Sequence, residues 1–370
     1  MSGIKETKPK IIFILNTFGL TGGVKVIFEH ANQLAAKGYE VNLIHLLRLR
    51  SGMKNYLISF LKWFKYHLPF INNHFYSPHW FSLRPEIKLS HQLSLKEAPA
   101  DALVIATANE TADAVNDLPI EAARKFYFVQ DYESWTRSPE EVDRTYSYDL
   151  KKIVISRRLG QLLKDKFNQA SFGPVSNGIS DIFLQPSSLP ASQKTTPPRG
   201  RILLLYNPAP HKGFKEGLAA YEIIKKSWPT AELIVFGAYH LTPSLASANL
   251  VKKFYFQPAP EKIRELYSSC DIFIYAALQE GFALTPLEAM ASGGVVVSSD
   301  VGAVSDYGQN GKNIIIVPPA DSAALAQAVL KLLNNQPERD ALAAAAQQAA
   351  SEHTWQKASD QLEKILLADS

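Results

Sequence analysis

One local order repeats along this chain and constrains its fold more than anything else. An apolar run leads into a glycine-bearing loop, which leads into an amphipathic helix. Ile11-Ile-Phe-Ile-Leu15 has no polar alternation. A run this short and this apolar predicts a strand buried on both faces, as parallel sheets require. The loop over residues 16–23 follows. A helix is predicted to about Lys37, with Ile27, Ala31, Leu34 and Ala35 on one face and Gly38 as its stop. Residues 40–46 read as the next strand. Strand, loop, helix, strand is a βαβ unit, the building block of doubly wound sheets.

The order recurs. Strands are expected over 102–108, 126–130 and 153–156, with helices from about Glu110 and through Leu163. A second series starts at Arg201. Its strands are expected over 202–206, 233–237, 254–256, 271–276, 294–298 and 314–317. Its helices are expected over 215–227, 285–292, 322–333 and 337–352. Residues 185–200 are rich in Pro, Ser, Thr and Lys and have no period, which reads as a linker. The expected organisation is therefore α/β: a Rossmann-like domain over 1–184, a linker over 185–200 and a second Rossmann-like domain over 201–353. The helix over 354–370 is expected to pack back on the first domain. Two such halves imply a facing cleft, with ligands outside the carboxyl ends of the strands.

A chain of 370 residues is long enough for two cores. Its net charge of +4 is too small to demand nucleic acid, and it suits anionic partners such as nucleotide diphosphates or a phospholipid surface. The lone cysteine, Cys270, excludes an internal disulfide and fits a reducing compartment. The opening Met1 to Lys10 is polar, so no secretion leader is expected, and no apolar run is long enough to span a bilayer. A cytoplasmic protein, or one peripheral to the membrane, is expected. Residues 55–80 mix aromatics with Lys62 and Lys65. A basic aromatic helix of this kind lies in a membrane interface, or else it is a packed excursion covering the sheet.

The strongest chemical signal is Glu280-Gly-Phe-Ala-Leu-Thr-Pro-Leu-Glu288. It leaves a strand and feeds a helix at Thr285-Pro286, where free N–H groups and the helix dipole favour a phosphate. A carboxylate on each side can grip hydroxyls on either side of a diphosphate. Thr285-x-x-Glu288 is also a capping box, and on that reading Glu288 only ties back its helix.

The second signal is Gly22-Gly23 at the opening of the first helix, with Lys25 after it. Glycine lets a backbone approach a ligand closely. The spacing is not the dinucleotide fingerprint, and a tight turn explains it equally. The third is Asn207-Pro-Ala-Pro-His211-Lys212-Gly213, again between strand and helix. Lys212 could neutralise a diphosphate as a point charge, or be a solvated loop lysine. In the first half, Gln130 and Asp131 end a strand, with Glu133 close behind. Asp131 also reads as a turn cap. Residues 107–111 could line an acceptor pocket, although Thr107-x-x-Glu110 also reads as a capping box, and Asn177-Gly178 reads as an ordinary turn.

The run Glu280 to Gly293, continued by Val295-Val-Val-Ser-Ser-Asp300-Val-Gly and by Asn310 to Asp321, resembles the donor-site signature of glycosyltransferase family 4. These are retaining enzymes of the GT-B architecture. The similarity covers most of the second half and the opening βαβ unit of the first. It implies that Glu280 contacts the donor sugar. It implies that the backbone at Phe282, Ala283, Leu284 and Thr285 faces sugar and phosphate, and that Glu288 holds the ribose. Gly22 and Gly23 resemble the family's donor-phosphate loop, and Lys212 one of its two phosphate cations. Asn207 departs from the pattern, since the family usually has arginine there. Gln130 stands where the family often has histidine, beside a kept Asp131. The Phe-Val-Gln-Asp-Tyr-Glu run looks like a bacterial subgroup that includes surface-polysaccharide rhamnosyltransferases. Base contacts are expected near Gly237 and Gln257.

The implied activity is transfer of a sugar from a nucleotide diphosphate sugar to a glycan or lipid-linked acceptor. It proceeds with retention and with no metal or other cofactor. No Asp-x-Asp occurs, the nine histidines lack metal-ligand spacing, and no Gly-x-Ser-x-Gly elbow appears. Two competitors stay open. One is a GT-B-like nucleotide-sugar epimerase. The other is a nucleotide-sugar-binding partner subunit with weak or no catalysis.

Overall fold

The computed structural model describes residues 8–47, 78–133, 137–185, 200–242 and 250–368. The chain divides into two compact units, one of residues 1–176 with 355–370 and one of residues 177–354.

The first unit is built on a parallel six-stranded sheet. Its strands are β1 (Ile11–Leu15), β2 (Val41–Leu46), β3 (Lys88–Gln92), β4 (Leu103–Ala106), β5 (Lys125–Val129) and β6 (Lys151–Val154), in the order β3-β2-β1-β4-β5-β6. Every residue of β1 and of β5 is buried, as unalternated apolar runs require. Helices α1 (Gly22–Ala36), α2 (Asn109–Asn116), α3 (Pro139–Tyr146) and α4 (Arg157–Phe167) connect the strands.

The second unit repeats the arrangement. It has α5 (Asp181–Leu184), β7 (Arg201–Tyr206), α6 (Phe214–Ser227), β8 (Glu232–Gly237), β9 (Val251–Phe256), α7 (Pro260–Ser269) and β10 (Ile272–Tyr275). There follow α8 (Leu284–Ala291), β11 (Val296–Ser299), α9 (Val304–Tyr307), β12 (Ile315–Val317), α10 (Ser322–Leu333) and α11 (Gln336–Ala350). Its sheet order is β12-β11-β10-β7-β8-β9, again parallel throughout. Counted within each unit, the strand order is the same doubly wound one. Each sheet therefore reverses direction once, between β1 and β4 in the first unit and between β7 and β10 in the second. In such sheets the ligand crevice lies outside the carboxyl ends of those two strands.

The second core joins Ile202, Leu204, Val235, Ile274, Val297 and Leu325, all buried. Burying each such side chain stabilises by roughly 1.5–3 kcal/mol. The last helix, α12 (Trp355–Leu367), belongs to the first unit and packs on α1. Lys37 at the end of α1 pairs with Asp360 at 2.5 Å and with Glu363, and the Tyr39 hydroxyl donates to Glu363 at 2.7 Å.

Several elements differ from the sequence reading. Residues 177–184 group with the second unit, because α5 packs on α7 and α8. Strand β3 was not anticipated: Lys-Leu-Ser-His-Gln is largely polar, and in this edge strand only His91 is buried. Strand β9 is six residues long rather than three. Helices α3 and α7 went unread, although Ser138-Pro139-Glu140-Glu141 forms a capping box at the start of α3. Residues 186–199 of the expected linker, and 55–77 of the basic aromatic stretch, lie outside the described residues. Among the described residues no helix is long and apolar enough to cross a membrane.

Candidate active site

The carboxyl ends of β7 and β10 bring two motifs of the second unit, Asn207 to Gly213 and Glu280 to Glu288, into one place. After β7, the 3-10 turn Pro210–Lys212 ends at Gly213, which stands in the left-handed region at φ 66° and caps α6. A Cβ on Gly213 would lie 1.8 Å from the Ala276 carbonyl oxygen. Only glycine permits this approach. Across it, the His211 carbonyl accepts from the N–H of Leu278 at 2.8 Å. The two loops are thus pinned to one another by main chain.

After β10, the loop ends at Ala283, which is buried and left-handed at φ 71°. Helix α8 begins at Leu284. Thr285 is therefore the second helical residue and Pro286 the third, not the cap and the first residue. The capping box Thr285-x-x-Glu288 is not formed. The cap residue of neither α6 nor α8 supplies a side-chain hydrogen bond. The opening N–H groups of a helix have no intrahelical partner. At α8 these belong to Ala283, Leu284 and Thr285, since Pro286 has none. At α6 they belong to Phe214, Lys215 and Glu216. Two helix starts whose caps make no side-chain hydrogen bond, on loops pinned together at the switch point, have the chemistry to hold an anion.

Charged side chains complete it. Lys212 meets Glu280 Oε1 at 2.7 Å, and the buried Tyr275 donates its hydroxyl to the same oxygen at 2.6 Å. The left-handed Ala283 is held by the Tyr307 hydroxyl, which donates to its carbonyl at 2.8 Å. Phe282 is buried behind it, and its carbonyl accepts from Ala303 N–H at 2.9 Å. Gly302, at φ 57°, passes within about 3 Å of the Phe282 backbone, measured from where a Cβ would stand. Burial raises the phenols of Tyr275 and Tyr307 well above their ordinary value, and the Glu280 charge adds to it. Both therefore act as donors at neutral pH. Burial lowers the His211 imidazole, and the neighbouring Lys212 lowers it further. Glu288 lies in the second turn of α8, half-buried.

Asn207 is tied up locally. Its side-chain oxygen accepts from Ala209 N–H at 2.9 Å, an Asx turn that shapes the loop after β7. Gly237 ends β8 where a Cβ would stand 2.4 Å from the Tyr206 carbonyl, so packing already requires glycine. Gln257 is left-handed at φ 43°, and its N–H donates to the Gly237 carbonyl at 2.8 Å. The aromatic rings of His240 and Phe256 stack beside them, 3.9 Å apart.

In the first unit, the carboxyl ends of β1, β4 and β5 also converge. Gly22 opens α1, and Thr21 caps it by accepting from Val24 N–H at 3.2 Å. A Cβ on Gly22 would meet nothing within 4 Å, whereas one on Gly23 would stand 3.3 Å from the Gln130 amide. Gln130 Nε2 donates to the Thr107 carbonyl at 3.2 Å, and the Thr107 hydroxyl to Ile14 at 2.8 Å. Thr107 is not the cap of α2. That residue is Ala108, and the Thr111 hydroxyl accepts from its N–H at 3.2 Å. Asp131 accepts from Tyr132 N–H at 2.7 Å. Sequence reasoning missed Glu133 as a titrating group. Burial pushes its carboxyl up to about 7, the Asp131 and Glu110 charges add to this, and Asn109 N–H, donating at 2.8 Å, opposes it. Its place one turn beyond a buried strand was the available signal. Asn16, after β1, donates to Glu110.

The chain is similar in part to known proteins. Residues 191–349 match the family described as Glycosyl transferases group 1. Over 125 residues the chain is 32% identical to a D-inositol 3-phosphate glycosyltransferase of Corynebacterium diphtheriae, covering 34% of this chain and 29% of that protein. The matched stretch thus spans under a third of this curated relative's length. Among solved structures, the chain is similar to sucrose-phosphate synthase from Thermosynechococcus elongatus, with TM-score 0.72, 15% identity, 98% of this chain and 100% of that one. It is similar also to HepE of Anabaena, solved in complex with UDP-glucose, with TM-score 0.67, 15% identity and coverage of 98% and 100%. At these identities the likeness is one of fold. The fold matches that of GT-B proteins, with two parallel six-stranded sheets of one doubly wound order.

Proposed function

We propose that this chain is a glycosyltransferase that moves a sugar from a nucleotide diphosphate sugar to a glycan or lipid-linked acceptor. One observation carries the proposal. Two helices, α6 and α8, begin without side-chain caps on loops pinned together at the switch point, beside the Lys212–Glu280 pair. A diphosphate meets the N–H groups of both helix starts. Lys212 has three N–H donors and gives one to Glu280, so its ammonium stands ready to neutralise phosphate. Glu280 then takes sugar hydroxyls and Glu288 the ribose. The Gly237–Gln257 turn meets the base. The match of residues 191–349 to the glycosyl transferase family supports this reading.

Transfer proceeds with retention and without a metal. The leaving phosphate oxygen takes the acceptor proton, and the protein contributes orientation and charge stabilisation. The acceptor side is the carboxyl edge of the first sheet, where Gln130 and Asp131 lie. The product is a surface glycan or glycolipid, a hexoside or rhamnoside, made on the cytoplasmic face of the membrane.

The test is a panel of UDP-, GDP- and dTDP-sugars offered with lipid-linked and oligosaccharide acceptors, with product anomers read by NMR and the chelator EDTA in one arm. Transfer with retention in the presence of chelator is expected. One observation favours a second reading. Asn207 stands where a second cation would be, and its side chain is engaged in an Asx turn. A partner subunit would bind the nucleotide sugars and transfer nothing in any combination.

A further inference from the structure

Two donors converge on one oxygen of Glu280. Lys212 Nζ stands 2.7 Å and the Tyr275 hydroxyl 2.6 Å from Oε1. The side chain of Glu280 is 13% exposed and that of Lys212 is 29% exposed, whereas Tyr275 is buried at 4%. Among the described residues the second oxygen, Oε2, accepts no hydrogen bond. A carboxylate has about four lone-pair sites. Fixing Oε1 twice aims the other oxygen along one direction.

The two donors differ in kind. Lys212 is a long side chain with several rotatable bonds, 29% exposed, so its ammonium can be redirected. Tyr275 is the last residue of β10, and its ring is locked in the core against Phe273 at 6.2 Å. A diphosphate at the helix starts draws Lys212 towards itself and weakens its hold on Glu280. The Tyr275 hydroxyl does not move with it.

We infer that Tyr275 is a positioning residue: its hydroxyl holds Glu280 Oε1 while Lys212 turns to the diphosphate, so that Oε2 is presented to the hydroxyls of the donor sugar. The inference rests on the donor-site reading above and assigns a part of it to a residue that never touches the ligand. It predicts that Tyr275 matters for the sugar and not for the nucleotide.

The measurement is the gain in affinity from the sugar, taken as the ratio of Kd values for UDP against UDP-glucose, GDP against GDP-mannose and dTDP against dTDP-glucose. Wild type should show such a gain for one pair. Tyr275→Phe keeps the ring in the core and removes only the hydroxyl. It should lower the gain about tenfold, leave the bare nucleotide within about twofold and leave Tm nearly unchanged. In a Glu280→Gln background the same substitution should change the gain by less than about twofold, because a residue acting through Glu280 is non-additive with it.

The inference is overturned if Tyr275→Phe keeps the gain, if it weakens bare nucleotide and nucleotide sugar alike, or if it acts equally in both backgrounds. A wild type that binds nucleotide diphosphates with no gain from the sugar also overturns it, and the nucleotide site stands. A wild type that binds none of the six ligands overturns the donor-site reading itself.

Discussion

Lys212→Met separates the structural from the binding role of the cation at the switch point. Methionine keeps most of the side chain's length and removes its charge. The ammonium meets Glu280 at 2.7 Å, with the two side chains 29% and 13% exposed. A partly exposed pair of this kind contributes on the order of 1 kcal/mol. Glu280 is not orphaned by the change, because the Tyr275 hydroxyl still donates to the same oxygen at 2.6 Å. The expected loss of stability is therefore about 1 kcal/mol, a fall of roughly 3 °C or less in Tm. A charge-assisted hydrogen bond to phosphate contributes more, about 1.5–3 kcal/mol. Its loss should weaken nucleoside diphosphate binding about 10- to 100-fold. Calorimetric titration of UDP, GDP and dTDP at low and high ionic strength reads both the loss and its origin. Wild-type affinity should fall with salt more steeply than that of the variant. The reasoning fails if the variant binds as wild type does, or if its Tm collapses while affinity holds.

Other substitutions probe separate parts of the account. Gly213→Ala puts a Cβ 1.8 Å from the Ala276 carbonyl at a φ of 66°, so it should cost more than about 2 kcal/mol and abolish nucleotide binding, read by Tm and titration. Glu280→Gln should cut transfer far more than it lowers Tm; equal losses would mark Glu280 as structural. His30 is fully buried between Phe128 and Trp355, and burial first, then the Lys37 charge, hold its imidazole down at about 3. The unfolded chain then takes the proton first, so stability falls as pH drops from about 6.5 towards 3, by on the order of 1 kcal/mol per unit. Glu133, raised to about 7, works the opposite way between about 4.5 and 7, since the folded state holds its proton there. Between pH 7.5 and 4 the two effects oppose one another, so His30→Leu should raise Tm at pH 4 relative to pH 7.5; an unchanged difference would remove His30 from the account.

Elements buried on both faces were legible, because an unalternated apolar run has few other places to go. Strands β1 and β5 show this. Strand β3 was not legible, since its polar sequence pairs only because β2 offers an edge. The start of α8 was misread for a tertiary reason. Propensity favours Thr285 as the cap, but Tyr307, 24 residues away, holds the Ala283 carbonyl and turns the chain two residues earlier. Gly213 looked like part of a loop motif, and the close approach of Ala276 that makes it necessary is invisible in sequence. Glu280 and Lys212 stand out in their motifs, and the structure pairs them at 2.7 Å. Tyr275 does not stand out, because the end of an apolar strand gives no sign of where a hydroxyl points.

The claim that everything else rests on is that the starts of α6 and α8 hold a diphosphate. Backbone amide NMR during titration with UDP, GDP and dTDP, each against its nucleoside, tests it most directly. The account predicts that one nucleoside diphosphate shifts the amides of Phe214, Lys215, Leu284 and Thr285 strongly, and that its nucleoside leaves them nearly still. Diphosphate binding that leaves those four amides unmoved, or binding by none of the three, would contradict it.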